Sequence, residues 1–196
     1  MSDTLHVMAA RAAFYDIEPD LAAFLRYTRA HGLDVGAIGT VAGHCSVTAI
    51  VEPSQGRFEF AGADDQQAFP AFVCEAYGPD GESAVDLVAW PIGNPTRLLT
   101  ALGQCAMLGA WNVWNPATYY FNEPLNVHRA PLDWMKSGCQ GAAIVCPHLA
   151  ARELIDAPGR IAAQDHQHGR ELTALIQSLI PRDKVVARSH AHRRAA

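Results

Sequence analysis

An aspartate and a histidine three residues apart, Asp165 and His168, are the sharpest chemical signal in the 196-residue chain. Ile161, Leu172, Leu175, Ile176 and Leu179 define one apolar stripe at helical period, and the same geometry sets Asp165 and His168 inside it. Residues three apart are neighbours on a helix face. Turning both toward a core is costly unless they are paired or ligated. Two chemistries would use them: an Asp-oriented His acting as a general base, or half of a divalent-metal site. His148 and Glu153, on a helix expected over 148–156, would complete a His/Asp/Glu set suited to Mg²⁺, Mn²⁺ or Zn²⁺ and to metal-assisted hydrolysis. No H-E-x-x-H spacing accompanies them. A buried polar pair that pins the last helix to a neighbour accounts for Asp165 and His168 without catalysis, and weighs more. Pro147 and His148 as a helix start, with Arg152 and Glu153 on a solvated face, account for the others.

A second set of residues suits binding. Trp111, Trp114, Tyr119 and Tyr120 lie in an Asn- and Pro-interrupted stretch that reads as a structured loop, followed by His128 and Arg129. Such aromatics can form a partner groove or a stacking surface for bases, although core packing is their commonest use. Basic residues are few there. They gather instead at the end of the chain, where 182–196 carries Arg182, Lys184, Arg188, Arg193 and Arg194 against Asp183, a net +4 beside a −9 body. Arg193 and Arg194 would extend an electrostatic arm toward phosphate or an acidic partner, whether protein or nucleic acid; a loose solvated terminus explains the same charges.

Weaker signals complete the inventory. Asp86 alternates with Val88 and Trp90 on one strand face, expected to be the wetter one, and Glu75 across a hairpin would share that face as a carboxylate pair. His44 and Cys45 are adjacent, so an extended chain points them apart. The glycines between Gly36 and Gly43 lack the spacing of a phosphate loop.

The elements that must position these groups alternate in type. Helices are expected from Leu5 to Ala12 and from Pro19 to His31, with Gly32 as the stop. Strands at 47–51, 57–60, 72–77 and 84–90, the last two joined around Asp80-Gly81, suggest an antiparallel meander of about four strands. After Pro91 the pattern turns mainly helical: 94–107, a short helix at 131–136, 148–156 and 159–180, with short strands at 125–128 and 141–146. The fold class is α+β, with N-terminal helices, the meander and a helical C-terminal half. One domain covers 1–181, and 182–196 is a basic, flexible tail.

Composition narrows the class. At 49% hydrophobic and 18% charged, the chain buries a real core and is neither disordered nor a strongly basic nucleic-acid binder. Five cysteines without a C-x-x-C pair suit reduced thiols in a cytoplasm. Neither a spanning apolar run nor an export signal is present; a homo-oligomer is compatible with this composition.

Three segments carry a resemblance: Asp86-Leu87-Val88-Ala89-Trp90-Pro91; Pro131-Leu132-Asp133-Trp134 with Gly138-Cys139-Gln140-Gly141; and Ile161 to Gly169. They are similar to proteins encoded in proteobacterial prophages and mobile elements. The resemblance implies a bacterial cytoplasmic setting, but no activity and no catalytic residue. The leading expectation is an accessory protein of a phage or mobile element that binds a macromolecular partner without catalysis. The alternative is a metal-dependent hydrolase, a nuclease or phosphoesterase, centred on Asp165 and His168.

Overall fold

The computed structural model describes residues 2–179. Three helices come first: α1 (Ser2–Asp16), α2 (Leu21–His31) and α3 (Val35–Val41). Asp20 and Asp34 cap the second and third by accepting amide hydrogens of the first turn, and Gly32 ends α2 with φ of 65°. The four expected strands follow as β1 (Cys45–Ser54), β2 (Arg57–Phe60), β3 (Phe69–Tyr77) and β4 (Ala84–Pro91). β1 pairs antiparallel with both β2 and β3, and β3 with β4.

These strands do not stay a meander. A fifth, β5 (Leu99–Thr100), enters between β2 and β4 and closes a barrel in the order β1-β2-β5-β4-β3. The helix expected over 94–107 is therefore absent. Leu99 belongs to the barrel core, whereas Met107 belongs to a second core, so their helical spacing reflects two destinations rather than one face. Ile50, Phe58, Ala71, Val73, Leu87, Ala89 and Leu99 fill the barrel, and Phe14 of α1 packs against them. Each such burial is worth roughly 1.5–3 kcal/mol.

The two acids of the β3–β4 hairpin are both buried, and they lie on opposite faces. The register sets Glu75 beside Leu87 and Asp86 beside Ala76, which overturns the expected carboxylate pair on a wet face. Glu75 shares the barrel side with Leu87. It accepts from Arg11 Nε at 2.6 Å, the Tyr77 hydroxyl at 2.6 Å, the His44 amide at 3.0 Å and the Tyr15 hydroxyl at 3.2 Å. Burial alone would raise its pKa, but Tyr77, His44 and Arg11 outweigh that and hold it below the usual carboxylate value. Gly43 is required here twice over: its φ is 65°, and a Cβ would collide with Glu75 and Tyr77.

Asp86 faces the other way, toward the chain that leaves the barrel. Its Oδ1 accepts from the amides of Leu87 and Leu102, both at 2.8 Å, and its Oδ2 from Gln104 at 2.7 Å and Cys105 at 3.2 Å. Four backbone donors converge on one carboxylate and fold residues 101–106 into the link between the barrel and the second sheet. Burial pushes this carboxyl up, with all four donors pulling it down.

The second sheet has the order β6-β8-β7-β9, from β6 (Met107–Leu108), β7 (Leu125–His128), β8 (Ala142–Ile144) and β9 (Ile161–Ala163). Between them run α4 (Trp111–Trp114), a 3₁₀ stretch (Pro116–Asn122), α5 (Pro131–Lys136) and α6 (Pro147–Ile155), and α7 (His166–Gln177) follows β9. β8 and β9 both pair parallel with β7, while β6 is antiparallel to β8. The C-terminal half is thus a β-α-β-α-β-α unit, not a helical half. Ala150 and Leu154 of α6 and Leu172 and Ile176 of α7 pack with Leu125, Val127, Ala142 and Ile144 on one face. Leu132, Trp134 and Met135 of α5 pack with Ala143 and Leu108, and with Phe72 and Trp90 of the barrel, on the other. Among the described residues no helix is long and apolar enough to cross a membrane.

Removing the Asp86 carboxylate strands two buried amides, Leu87 and Cys105, and two part-buried ones, Leu102 and Gln104, at once. Asp86→Ala is expected to cost roughly 3–5 kcal/mol in urea unfolding, and Asp86→Asn, which keeps one acceptor oxygen, distinctly less. A loss under about 1 kcal/mol for the alanine variant would show that the link holds without it.

Candidate functional site

Four of the residues singled out from the sequence, His128, Arg129, Asp165 and His168, lie where the parallel strands end. β7 runs first to one neighbour through α5 and then, by way of β8 and α6, the chain returns to β9 on its other side. The two connections cover opposite faces of the sheet. A crevice opens outside the strand ends at such a reversal of winding, the usual ligand position in open parallel sheets. His128 ends β7 and Arg129 follows it; Gln164 and Asp165 follow β9; His168 and Glu171 lie on the first turns of α7.

Asp165 is not on a helical stripe. It caps α7 with extended backbone, φ of −157°, and its Oδ1 accepts the amide of His168 at 2.8 Å. The expected helix over 159–180 begins only at His166, because Ile161–Ala163 pairs with β7 as a strand. The carboxylate of Asp165 is also gripped by Arg129, Nη1 to Oδ2 at 2.8 Å and Nη2 to Oδ1 at 3.2 Å, and Nη2 reaches Glu171 at 3.1 Å. The His168 amide and Arg129 both hold Asp165 ionised below its usual pKa. Gln164 braces the cluster from the side, accepting from the Arg129 amide at 2.9 Å and donating to Asp133 at 3.3 Å.

His168 does turn inward, with 3% of its surface exposed. Its partner is backbone, not Asp165: Nδ1 accepts the Gln164 amide at 3.2 Å. A neutral ring that accepts at Nδ1 carries its hydrogen at Nε2. Burial lowers the His168 pKa below 6.5, as does the Arg129 cation; Glu171 and Asp165 pull it up, and His128 pulls it down. The ring is therefore a hydrogen-bond donor at neutral pH. The Asp165–His168 relationship runs through a main-chain amide and does not orient the imidazole as a base.

His148 and Glu153 do not join them. Among the described residues no three His, Cys, Asp or Glu side chains converge as a metal-ligand set. His148 is exposed at the start of α6. Glu153 is half-buried, burial raises its pKa, and its Oε2 is enclosed without a partner.

The aromatic stretch divides in two. Trp111 packs edge-on to Tyr77 and Trp134, with centroids 6.4 and 6.2 Å apart. Tyr119 donates to the Val113 carbonyl at 2.8 Å and lies so close over Gly159 that a Cβ there would strike the ring. Both are struts. Trp114 is 43% exposed, and the two residues that protrude furthest are Tyr120 at 68% and Phe121 at 90%. Their rings meet edge-on at 4.9 Å. Phe121 and Asn122 hold left-handed backbone, φ of 56° and 65°, and Arg160 donates to the Asn122 carbonyl at 3.2 Å. Sequence reasoning chose Trp111, Trp114, Tyr119 and Tyr120 and missed Phe121, since nothing in the order Tyr-Tyr-Phe-Asn tells which ring is turned out. Arg193 and Arg194 lie outside the described residues.

Comparison with protein-family models, with curated proteins and with solved structures finds no match to the chain.

The depressed His168 pKa gives a pH dependence of known sign. The unfolded chain binds the proton first, so this stability is complete above about pH 6.5 and is lost as pH falls through 6.5 toward the lower folded value. Urea unfolding between about pH 5.5 and 8 should show a shallower slope for His168→Asn than for the parent. Equal slopes would mean that the His168 pKa is the same in the folded and the unfolded chain.

Proposed function

We propose that the chain is a binding component that engages a macromolecular partner through the aromatic spur at Tyr120 and Phe121, in the prophage or mobile-element setting its sequence resembles. One observation carries the reading. A bulky residue with φ of 56° and 90% of its surface in solvent is unfavourable on both counts. Left-handed backbone costs about 1–2 kcal/mol for a residue with a Cβ, and such strain concentrates where a side chain must be presented. Tyr119 and Arg160 brace the base of the spur, so its rings are offered with little ordering left to lose on binding. Aromatic anchors of this kind seat in apolar pockets of a partner.

The partner class is a protein. Single-stranded nucleic acid needs basic residues beside the rings to track phosphates. Among the described residues the neighbourhood is Asn115, Asn122 and Glu123, and the nearby cation, Arg160, is directed onto a backbone carbonyl. The hydrolase alternative has less support, because Arg129 neutralises Asp165 and His168 presents a hydrogen where a base needs a lone pair.

Photo-crosslinking from p-benzoylphenylalanine at position 121 in host cells tests the reading. A discrete adduct, weakened by Tyr120→Ala and absent when the probe replaces exposed Asp64, is expected; the same pattern from both positions would contradict it. Phe121→Gly should abolish partner engagement yet raise unfolding stability by about 0.5–1 kcal/mol, because the strain is relieved at a modest entropic loss. A destabilised glycine variant would show that the ring belongs to the fold.

A further inference from the structure

The spur leaves the crevice at the strand ends without a role. It is a cleft of about 540 Å³, within the usual range of small-molecule sites. Leu98, Val145 and Leu175 give it apolar walls, and His128, Arg129, His168 and Glu171 bring polar groups to it.

His168 supplies an unmet demand. The ring is 97% withdrawn from solvent and lines the cleft, and the amide of Gln164 occupies Nδ1. Nε2–H makes no hydrogen bond among the described residues. It is not sealed in the core either, since Glu153 Oε2 is the enclosed side-chain polar atom without a partner among the described residues. Nε2–H thus keeps access to the cleft that His168 lines and is open to an acceptor beyond the described residues.

The surrounding charge defines that acceptor. Arg129 is the cation of the cleft among the described residues, and three of its five N–H groups are spent on Asp165 and Glu171. Two carboxylates against one guanidinium disfavour an anion, and α7 offers its first-turn amide of His168 to Asp165 rather than to a phosphate. A neutral ligand with a carbonyl oxygen for Nε2–H, an N–H for the remaining lone pairs of Glu171, whose oxygens also accept from Arg129 and Gln167, and an apolar body against the walls matches these groups.

We infer that the crevice between the ends of β7 and β9 binds a neutral heterocycle carrying a ring carbonyl beside an N–H, of the nucleobase or nucleoside type, with His168 Nε2–H as the recognising donor. Bare nucleosides are accepted and their phosphates refused. Apolar walls supply the contact area, and the imidazole sets orientation, since an unmatched buried donor is what such sites penalise.

The test is an NMR titration of the full chain, labelled with ¹⁵N in histidine, using uridine and guanosine and, separately, their 5′-monophosphates. Saturable displacement of the His168 Nε2 resonance by at least one nucleoside is expected, with binding of its monophosphate weaker by about tenfold or more. His168→Phe should weaken nucleoside binding by at least about tenfold while tryptophan fluorescence stays native. If that variant unfolds, Leu175→Trp, which fills the cleft from a half-buried position on α7, provides the same readout and should abolish the displacement. No movement of His168 at millimolar nucleoside, or monophosphates bound as tightly as nucleosides, overturns the inference.

Discussion

One carboxylate decides how this molecule is put together. Asp86 sits on a strand whose neighbours Val88 and Trp90 are fully buried, and it satisfies four main-chain amides, three of them in the segment that leaves the barrel. Residues 101–106 make no strand or helix of their own and run from a half-buried start, past exposed Gln104, to buried Cys105 and Ala106, so the amides of Leu102, Gln104 and Cys105 need an acceptor that no ladder supplies. By accepting them, Asp86 fixes this irregular link and lets the second sheet start immediately at Met107. One residue earlier in the pairing scheme, Glu75 does the corresponding work on the other face, tying α1 to the barrel through Arg11 and Tyr15. A single hairpin therefore joins the N-terminal helices, the barrel and the second sheet, by placing two acids at alternate positions of a two-residue period.

Both candidate surfaces follow from that union. The second sheet is small, with three of its four strands only two or three residues long once β7 is set aside, and it relies on Trp90 and Phe72 of the barrel to cover the face that α5 cannot. Backed in this way, the strand ends are held at fixed separation, which is what lets Arg129 from one loop meet Asp165 and Glu171 from another in a defined geometry. The spur uses the same support. Tyr119 anchors on Val113 and Gly159, so the left-handed turn at Phe121 and Asn122 projects from a rigid base. Binding residues on loops carried by a fixed scaffold are the general pattern.

The strands of the hairpins were legible in the sequence because their alternation and the Asp80-Gly81 turn are local signals. The first two helices, α5 and α6 were legible for the same reason, whereas α3 lies in a glycine-rich stretch that gave no helical signal. What escaped was set by distant pairing. Leu99-Thr100 is too short to show a period, and only the gap between β2 and β4 makes it a strand. Ile161–Ala163 borrowed the look of a helix from residues further along, although Asp165 is a recognisable N-cap. Asp86 and Glu75 looked like surface acids because a chain read alone cannot show a second layer covering each face. The interest of Asp165 and His168 was visible, and so was the burial of His168; the route between them, through an amide rather than the ring, was not.

Native-state hydrogen exchange addresses the union most directly. If Asp86 joins barrel and second sheet into one cooperative body, the amides of Leu102, Gln104 and Cys105 should open with nearly the free energy of Val73 and Val88 in the barrel, and Val127 and Ala143 should share it. Fast exchange at Leu102, Gln104 and Cys105, or an opening of the second sheet several kcal/mol below that of the barrel, would contradict the account.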